Sequence, residues 1–311
     1  MKKAILFLGL IYIGTSCKHH TTALEYITQG DTERKLNHYS KADSLYGLAI
    51  NLDPKNDIAY NNRGLNRFNA GKYAEAIDDY SMSLKIKPGD ATCLDNRGAA
   101  EHELGQAREA IRDYNAAITI DPSLGIVYYD RGLQEYDMGK VDGDTNKLTI
   151  ALQDLNKAIE LNSKSENVYD VRGLVKRRLG KLEDAIQDFT QGISINPNFK
   201  NLYNDRALTY SDLNNNEAAK ADYTAAIKLD PNFATALDNL GWLYYLSGDY
   251  QEAIKNFNKT IEVDSTSGQA YLDRGSAEIK TGDKDKACAD FYKAKKYNMN
   301  GSQEAIDANC K

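Results

Sequence analysis

Small residues stand at Gly30, Gly64, Gly98, Gly132, Gly173, Ala207, Gly241 and Gly275, 34 residues apart in every interval except the 41 that precede Gly173. A fixed period of this size is the mark of a solenoid, in which each unit is too small to bury its apolar face alone and does so against its neighbours. Starting each unit seven residues earlier cuts the chain into 23–56, 57–90, 91–124, 125–165, 166–199, 200–233, 234–267 and 268–301. Residue places below are counted from each unit's own start.

The twentieth place, shifted by seven in the long fourth unit, is alanine eight times: Ala42, Ala76, Ala110, Ala151, Ala185, Ala219, Ala253 and Ala287. One helical turn on stands a large side chain, Tyr46, Tyr80, Tyr114, Leu155, Phe189, Tyr223, Phe257 or Phe291, so a small and a bulky residue share a helix face. The fifteenth place holds only Gly or Asn (Asn37, Gly71, Gly105, Gly139, Gly180, Asn214, Gly248, Gly282), the residues that accept a left-handed helix end. All five prolines, Pro54, Pro88, Pro122, Pro197 and Pro231, fall at the thirty-second place, where they stop a helix. The predicted unit is helix, turn, helix, stop.

This combination resembles the tetratricopeptide repeat (TPR) family over residues 23–301. The resemblance implies an all-α, right-handed superhelical solenoid of about eight repeats, with 302–311 as a C-terminal capping helix. It also implies a non-catalytic scaffold whose first helices line a concave side that takes up a protein or peptide. Ser163, Ser265 and Met299 depart from the terminal proline, Ala207 from the glycine, and the fourth unit carries seven extra residues around Val141 to Lys147, expected as a solvated loop. Asp142, Asp144 and Asn146 there faintly resemble a calcium loop, but Lys147 and Gln153 stand where its Gly and Glu belong.

The seventh and twenty-third places vary together. Arg63 goes with Asp79, Arg97 with Asp113, Arg131 with Asp154, Arg172 with Asp188, Arg206 with Asp222 and Arg274 with Asp290, while Gln29 meets Leu45 and Leu240 meets Asn256. Loss of both charges together predicts an ion pair between the two helices of one unit; independent solvated charges are the alternative.

Chemistry-bearing motifs are lacking: the chain has no GxSxG, HExxH, CxxC, P-loop or GxGxxG, so no nucleophile, metal, cofactor or small-molecule substrate site is expected, and the reading is of a protein that is not an enzyme. With 39 Lys and Arg against 45 Asp and Glu and no dense basic block, a nucleic-acid partner is not expected either.

Lys2, Lys3 and the apolar run Ala4 to Ile13 read as a secretory signal, assigned to residues 1–16. Gly14, Thr15, Ser16 and Cys17 resemble the lipobox of bacterial lipoproteins, which implies lipid on Cys17, a short tether over 17–22 and attachment to a membrane of the cell envelope, outer over inner because Lys18 is not the retention aspartate. Gly14 where that motif usually has Leu leaves ordinary secretion open. In an exported chain Cys288 and Cys310 could bridge and staple the terminal cap, which Ser302 could start as N-cap; Cys93, at a core place, reads as a small hydrophobe.

From the second unit onward, eleven of the fourteen residues at the fifth and sixth places are Asn or Asp, and none is basic. This disfavours the Lys and Arg clamp with which some TPR proteins hold a partner's C-terminal carboxylate. It resembles instead the asparagine ladder that holds an extended backbone in others, and an acidic groove favours a basic or neutral segment. The expected groove comprises Asn61, Asn62, Leu65, Phe68, Asn96, Asp130, Tyr136, Asp205, Asn239, Trp242 and Tyr245, with packing between repeats as the competing role. A second reading is carbohydrate binding by exposed members of the 21 tyrosines, against which stands their regular spacing at the fourth and twenty-fourth places.

Overall fold

The structure, a computed structural model, describes residues 21–310. Cys17 and the segment read as a signal lie outside them. Every regular element among the described residues is a helix, and none is long and apolar enough to cross a membrane. The chain divides into two compact units, one ending at Gln106 and the other starting at Ala107, so the division falls between the two helices of the third repeat. The first unit holds α1 (Ala23–Lys35), α2 (Tyr39–Leu52), α3 (Asp57–Asn69), α4 (Tyr73–Ile86) and α5 (Ala91–Glu103). The second opens with α6 (Ala107–Ile120), α7 (Gly125–Asp142), α8 (Thr145–Glu160), α9 (Glu166–Arg178), α10 (Leu182–Ile195) and α11 (Lys200–Asp212). It continues with α12 (Asn216–Leu229), α13 (Ala234–Leu246), α14 (Tyr250–Val263), α15 (Gly268–Thr281), α16 (Lys284–Lys296) and α17 (Ser302–Asn309). Within each unit every helix packs on the next, and the first helices of successive repeats, such as α11, α13 and α15, also touch.

Local signals set the helix ends. Asn56 and Asp90 accept hydrogen bonds from the backbone N–H groups of Ala59 and Cys93, and Thr22 forms a capping box with Glu25, so the first orphan donors of these helices are met. Asn37 and Asn214 turn the chain with φ of 60° and 56°, in the left-handed region that other side chains avoid. The fourth repeat departs from expectation. Gly139 is not a turn: it is helical within α7, packed against Leu148, and the left-handed residue is Gly143, with φ of 72°. The seven extra residues therefore lengthen the helices instead of forming a loop, and only Gly143 and Asp144 lie between α7 and α8. Asp144 caps α8 through the N–H of Asn146, and Asp142 pairs with Lys147, so these carboxylates serve the helix ends.

The repeat's knob and hole are physical. The alanines of the twentieth place and the rings of the twenty-fourth are buried to 2% exposure or less. A Cβ placed on Gly30, Gly64, Gly173, Gly241 or Gly275 would sit 2.5–2.7 Å from the ring edge of the same repeat, so glycine is what lets the two helices approach. At Gly132 the partner is Leu155 and the gap opens to 3.1 Å.

Five of the co-varying Arg and Asp places lie within one unit, and each forms a two-pronged ion pair. Arg63 reaches Asp79 at 2.9 and 2.7 Å, Arg131 reaches Asp154 at 2.7 and 2.7 Å, and Arg172 reaches Asp188 at 2.9 and 2.6 Å. Arg206 reaches Asp222, and Arg274 reaches Asp290, each at 2.6 and 2.8 Å. Arg97 and Asp113 fall in different units. A further regularity went unread in the sequence: Nη1 donates sixteen residues back, from Arg97 to Ser81, Arg131 to Asn115, Arg172 to Asn156, Arg206 to Thr190 and Arg274 to Asn258. One guanidinium thereby ties its own two helices to the second helix of the preceding repeat, using most of its five donors.

At the C-terminal end, Cys288 and Cys310 are joined with an S–S distance of 2.06 Å, closing a separation of 22 residues, which removes about 3 kcal/mol of freedom from the unfolded chain. Ile306 packs on Phe291 beneath this cap. Ser302 does not cap α17: Gly301 holds the N-cap place with φ of 81°, and the Ser302 hydroxyl donates to the Met299 carbonyl. Cys93 is buried, with its thiol against the Tyr80 carbonyl, and burial pushes it up to about 11.

Candidate partner-binding cleft

The first helices meet along their fifth and sixth places, 35 residues apart or 42 across the insertion, and from the second repeat onward the two sides of this seam match in type within each unit. Asn96 Nδ2 donates to Asn61 Oδ1 at 3.4 Å in the first unit, and Asn239 Nδ2 to Asn204 Oδ1 at 3.0 Å in the second. Tyr129 packs against the core cluster that holds Val171. Asp170 hydrogen-bonds Asp205, and Asp238 faces Asp273. Two carboxyls so placed cannot both ionise cheaply. Burial, then the neighbouring Asp205, pushes Asp170 up to about 8, and burial raises Asp205 to about 6 against the lowering influence of Asn204 and Arg177. Burial and then Asp273 push Asp238 up to about 7, and burial raises Asp273 as well.

The expected groove residues consequently have different surroundings. In the first unit Asn61 bonds Asn62, whose amide donates to Asp31 at 3.2 Å, and Phe68 lies edge-on to Tyr73 at 5.3 Å; Leu65 and Asn96 are half-buried beside them. In the second unit Asp130 is half-buried on α7. Tyr136 is no groove residue: at 7% exposure it belongs to the core with Leu148 and Val171, because the lengthened α7 and α8 cover it. Asp205, Asn239, Trp242 and Tyr245 lie on α11 and α13, where Trp242 is 42% exposed and stacks on Tyr245 at 5.0 Å.

A cleft of about 530 Å³ opens here, lined by Leu208, Ser211, Asp212, Asn214, Asn216, Tyr223, Asn239, Trp242, Leu243 and Leu246. Trp242 and Asn239 also bound a smaller cavity of about 210 Å³ with Asp238, Gln269 and Asp273. The indole and the Asn239 amide thus form a wall between a mixed apolar cleft and an acidic one. Sequence reasoning named Asn239 and Trp242 but not Leu246, which is 64% exposed at the thirteenth place, nor Gln269. Gln269 was legible, since the second place shares the helical face of the fifth, sixth, ninth and twelfth.

The regularly placed tyrosines are engaged elsewhere. Those of the twenty-fourth place are buried, and those of the fourth lie under arginine, Arg63 over Tyr60, Arg131 over Tyr128, Arg172 over Tyr169, Arg206 over Tyr203 and Arg274 over Tyr271, at 5.5–5.8 Å.

Family models of the tetratricopeptide repeat match residues 58–90, 91–124, 167–199, 204–264 and 240–298. The chain belongs to the tetratricopeptide repeat family, whose fold is that of a protein-interaction scaffold. Among solved structures it is similar to a chain of the APC/C hetero-tetramer Cut9-Hcn1, at 14% identity and a TM-score of 0.65 over 92% of this chain and 55% of that one. It is also similar to a tetratricopeptide repeat protein from Parabacteroides merdae, at 21% identity and a TM-score of 0.52 over 93% and 99% of the two chains. A third similar structure is the C-terminal part of a TPR repeat-containing protein from Cytophaga hutchinsonii, at 20% identity and a TM-score of 0.55 over 78% and 97%. No curated protein matches the chain. This chain spans little more than half the length of the Cut9-Hcn1 chain, and likeness at this level of identity speaks for the fold.

Proposed function

We propose that this chain is a non-catalytic scaffold that holds a peptide or an extended segment of another protein across α11, α13 and α15. The observation that carries this reading is the 530 Å³ cleft, where Trp242 and Leu246 stand exposed beside the polar Asn239, Ser211 and Asp212. Exposed aromatic and aliphatic anchors interleaved with fixed amide and carboxylate groups suit a segment that offers both side chains and backbone. The reading places the scaffold in a bacterial cell envelope, attached through lipid on Cys17 to the outer membrane in preference to the inner, within an assembly or secretion complex; the residues that support it are the apolar run and Gly14 to Cys17.

Crosslinking in native membranes tests both halves. A partner protein captured by the wild type and lost from Trp242→Ala and Asn239→Ala supports the cleft, and capture that neither change weakens refutes it. Recovery of glycan without protein would favour the carbohydrate reading. In the same fractions Cys17→Ser should release the chain from the membrane, and its retention there would refute the lipid anchor.

A further inference from the structure

Asp238 and Asp273 differ from the other polar seams. Where Asn96 meets Asn61 and Asn239 meets Asn204, donor and acceptor satisfy one another; at the Asp170 and Asp205 seam the Asp170 Oδ1 is also unmet, but Asp205 takes the Asn204 amide at 3.1 Å and Arg177 is close enough to act on it. At the last seam the two carboxyls are not joined. Asp273, 6% exposed, takes the Gln269 amide at 2.8 Å, while the buried Oδ1 of Asp238 accepts no hydrogen bond at all. Asp273 is the one charged neighbour that acts on Asp238, and no basic side chain among the described residues offsets the pair. A buried acceptor left unmet costs about 1–3 kcal/mol, so something outside the described residues is the natural partner.

Two further observations, independent of the acids, describe that partner. Both carboxyls line a cavity of about 210 Å³ that is open to solvent and further bounded by Asn239, Gln269 and Trp242. Trp242 is 42% exposed, and an exposed indole is the best of the side-chain faces for a cation. A planar guanidinium combines what these walls offer: five donors in a fixed fork for two carboxylates and two amide oxygens, and a weakly hydrated π-face for the indole. An ammonium would satisfy one carboxylate as a point charge and leave the rest of the cavity wet.

We infer that the Asp238, Asp273 and Trp242 cavity receives an arginine side chain of the bound segment, next to an apolar residue that occupies the 530 Å³ cleft on the other side of Trp242 and Asn239. The inference rests on the reading that a protein segment lies across α11, α13 and α15, and it specifies that segment as basic and apolar in alternation. Charge complementarity supports the choice, since the whole chain carries −6 and the seam's charged residues are acidic.

Trp242 is the chain's one tryptophan and lies in the wall between the two cavities, so its fluorescence reports occupancy of either, and the comparison of the two peptides isolates the acidic one. The full chain is titrated with an acetylated, amidated peptide carrying one arginine beside a leucine, and with its twin in which neutral citrulline replaces arginine. The arginine peptide should shift the indole emission and bind roughly ten-fold more tightly than the citrulline peptide. Asp238→Asn, which keeps the shape of the side chain and relieves the repulsion with Asp273, should reduce that preference to near unity without harm to folding. Equal affinity of the two peptides overturns the cation site while leaving the groove in place, as does a preference that survives Asp238→Asn. No response to either peptide at millimolar concentration also overturns it. The wider groove is judged separately by whether crosslinked capture depends on Trp242.

Discussion

Replacing Arg206 by Met strips a two-pronged cation from a carboxylate whose side chain is 10% exposed. Arg206 and Asp222 suit this experiment because the eleventh place, which supplies a second cation to the aspartate in other repeats (Arg67 to Asp79 at 2.9 Å and Lys176 to Asp188 at 2.7 Å), is Tyr210 here. Leaving one member of a buried pair alone costs about 3–5 kcal/mol, and the 16% exposure of Arg206 admits enough water to put the effect near 3. Removing both charges, as Arg206→Met with Asp222→Leu, leaves no unpaired ion and should cost about 1 kcal/mol or less. The bond from Arg206 to Thr190 and the contact with Tyr203 are lost from both Arg206 variants, so they cancel in the cycle that Asp222→Leu alone completes, and the coupling, about 2 kcal/mol plus the cost of Asp222→Leu by itself, belongs to the pair. Urea unfolding supplies the free energies. Native-state hydrogen exchange over α11 and α12 shows that the loss is local, as expected where each repeat contacts its neighbours only. Additive losses would refute the pairing argument.

Gly173→Ala forces a Cβ to within 2.5 Å of the Phe189 ring and should destabilise by about 1–3 kcal/mol. Gly47→Ala, helical with nothing within 4 Å of the new carbon, should stabilise by about 0.5–1 kcal/mol, and urea midpoints that move the same way for both would refute the knob-and-hole account. Asp170 holds its proton up to about pH 8 when folded but ionises near the ordinary carboxylate range when unfolded, so the folded state binds the extra proton and stability falls as pH rises between those limits. Asp170→Asn, which still offers Asp205 an amide donor, should flatten that fall; an unchanged slope between pH 5 and 8 would refute the shared proton.

The repeat was legible because each of its devices is local or has a fixed offset. Alanine before a ring, glycine or asparagine at the turn and arginine sixteen residues ahead of aspartate need no knowledge of neighbouring repeats. Apart from the cap of α17, where Gly301 takes the place expected of Ser302, the reading failed where an insertion changed the local rule. Seven extra residues allow either a longer loop or two longer helices, and the choice of helix turned Gly139 from a turn into a packing glycine and moved Tyr136 from the surface into the core. The Nη1 bonds to the preceding repeat were also hidden, because their acceptors, Ser81, Asn115, Asn156, Thr190 and Asn258, share a hydrogen-bonding oxygen rather than a residue type.

The site was half legible for a different reason. Reading the fifth and sixth places down each repeat gave a surface rich in Asn and Asp, which suggests a ligand; reading them across, from one repeat's fifth place to the next repeat's sixth, gives Asn with Asn, Asp with Asp and Tyr with Val. Such matching suits a seam, because an asparagine pair and a proton-sharing carboxyl pair each supply one donor to one acceptor; at the first seam, where Ile27 stands opposite Asn62, the Asn62 amide turns to Asp31 instead. Most of the expected ladder therefore holds the scaffold together. Among the described seam carboxyls of the second unit, Asp170 Oδ1 and Asp238 Oδ1 are both left unmet, and the second lies beside the chain's one tryptophan and an open cavity, so it is there that the seam's own logic gives a partner room to complete it.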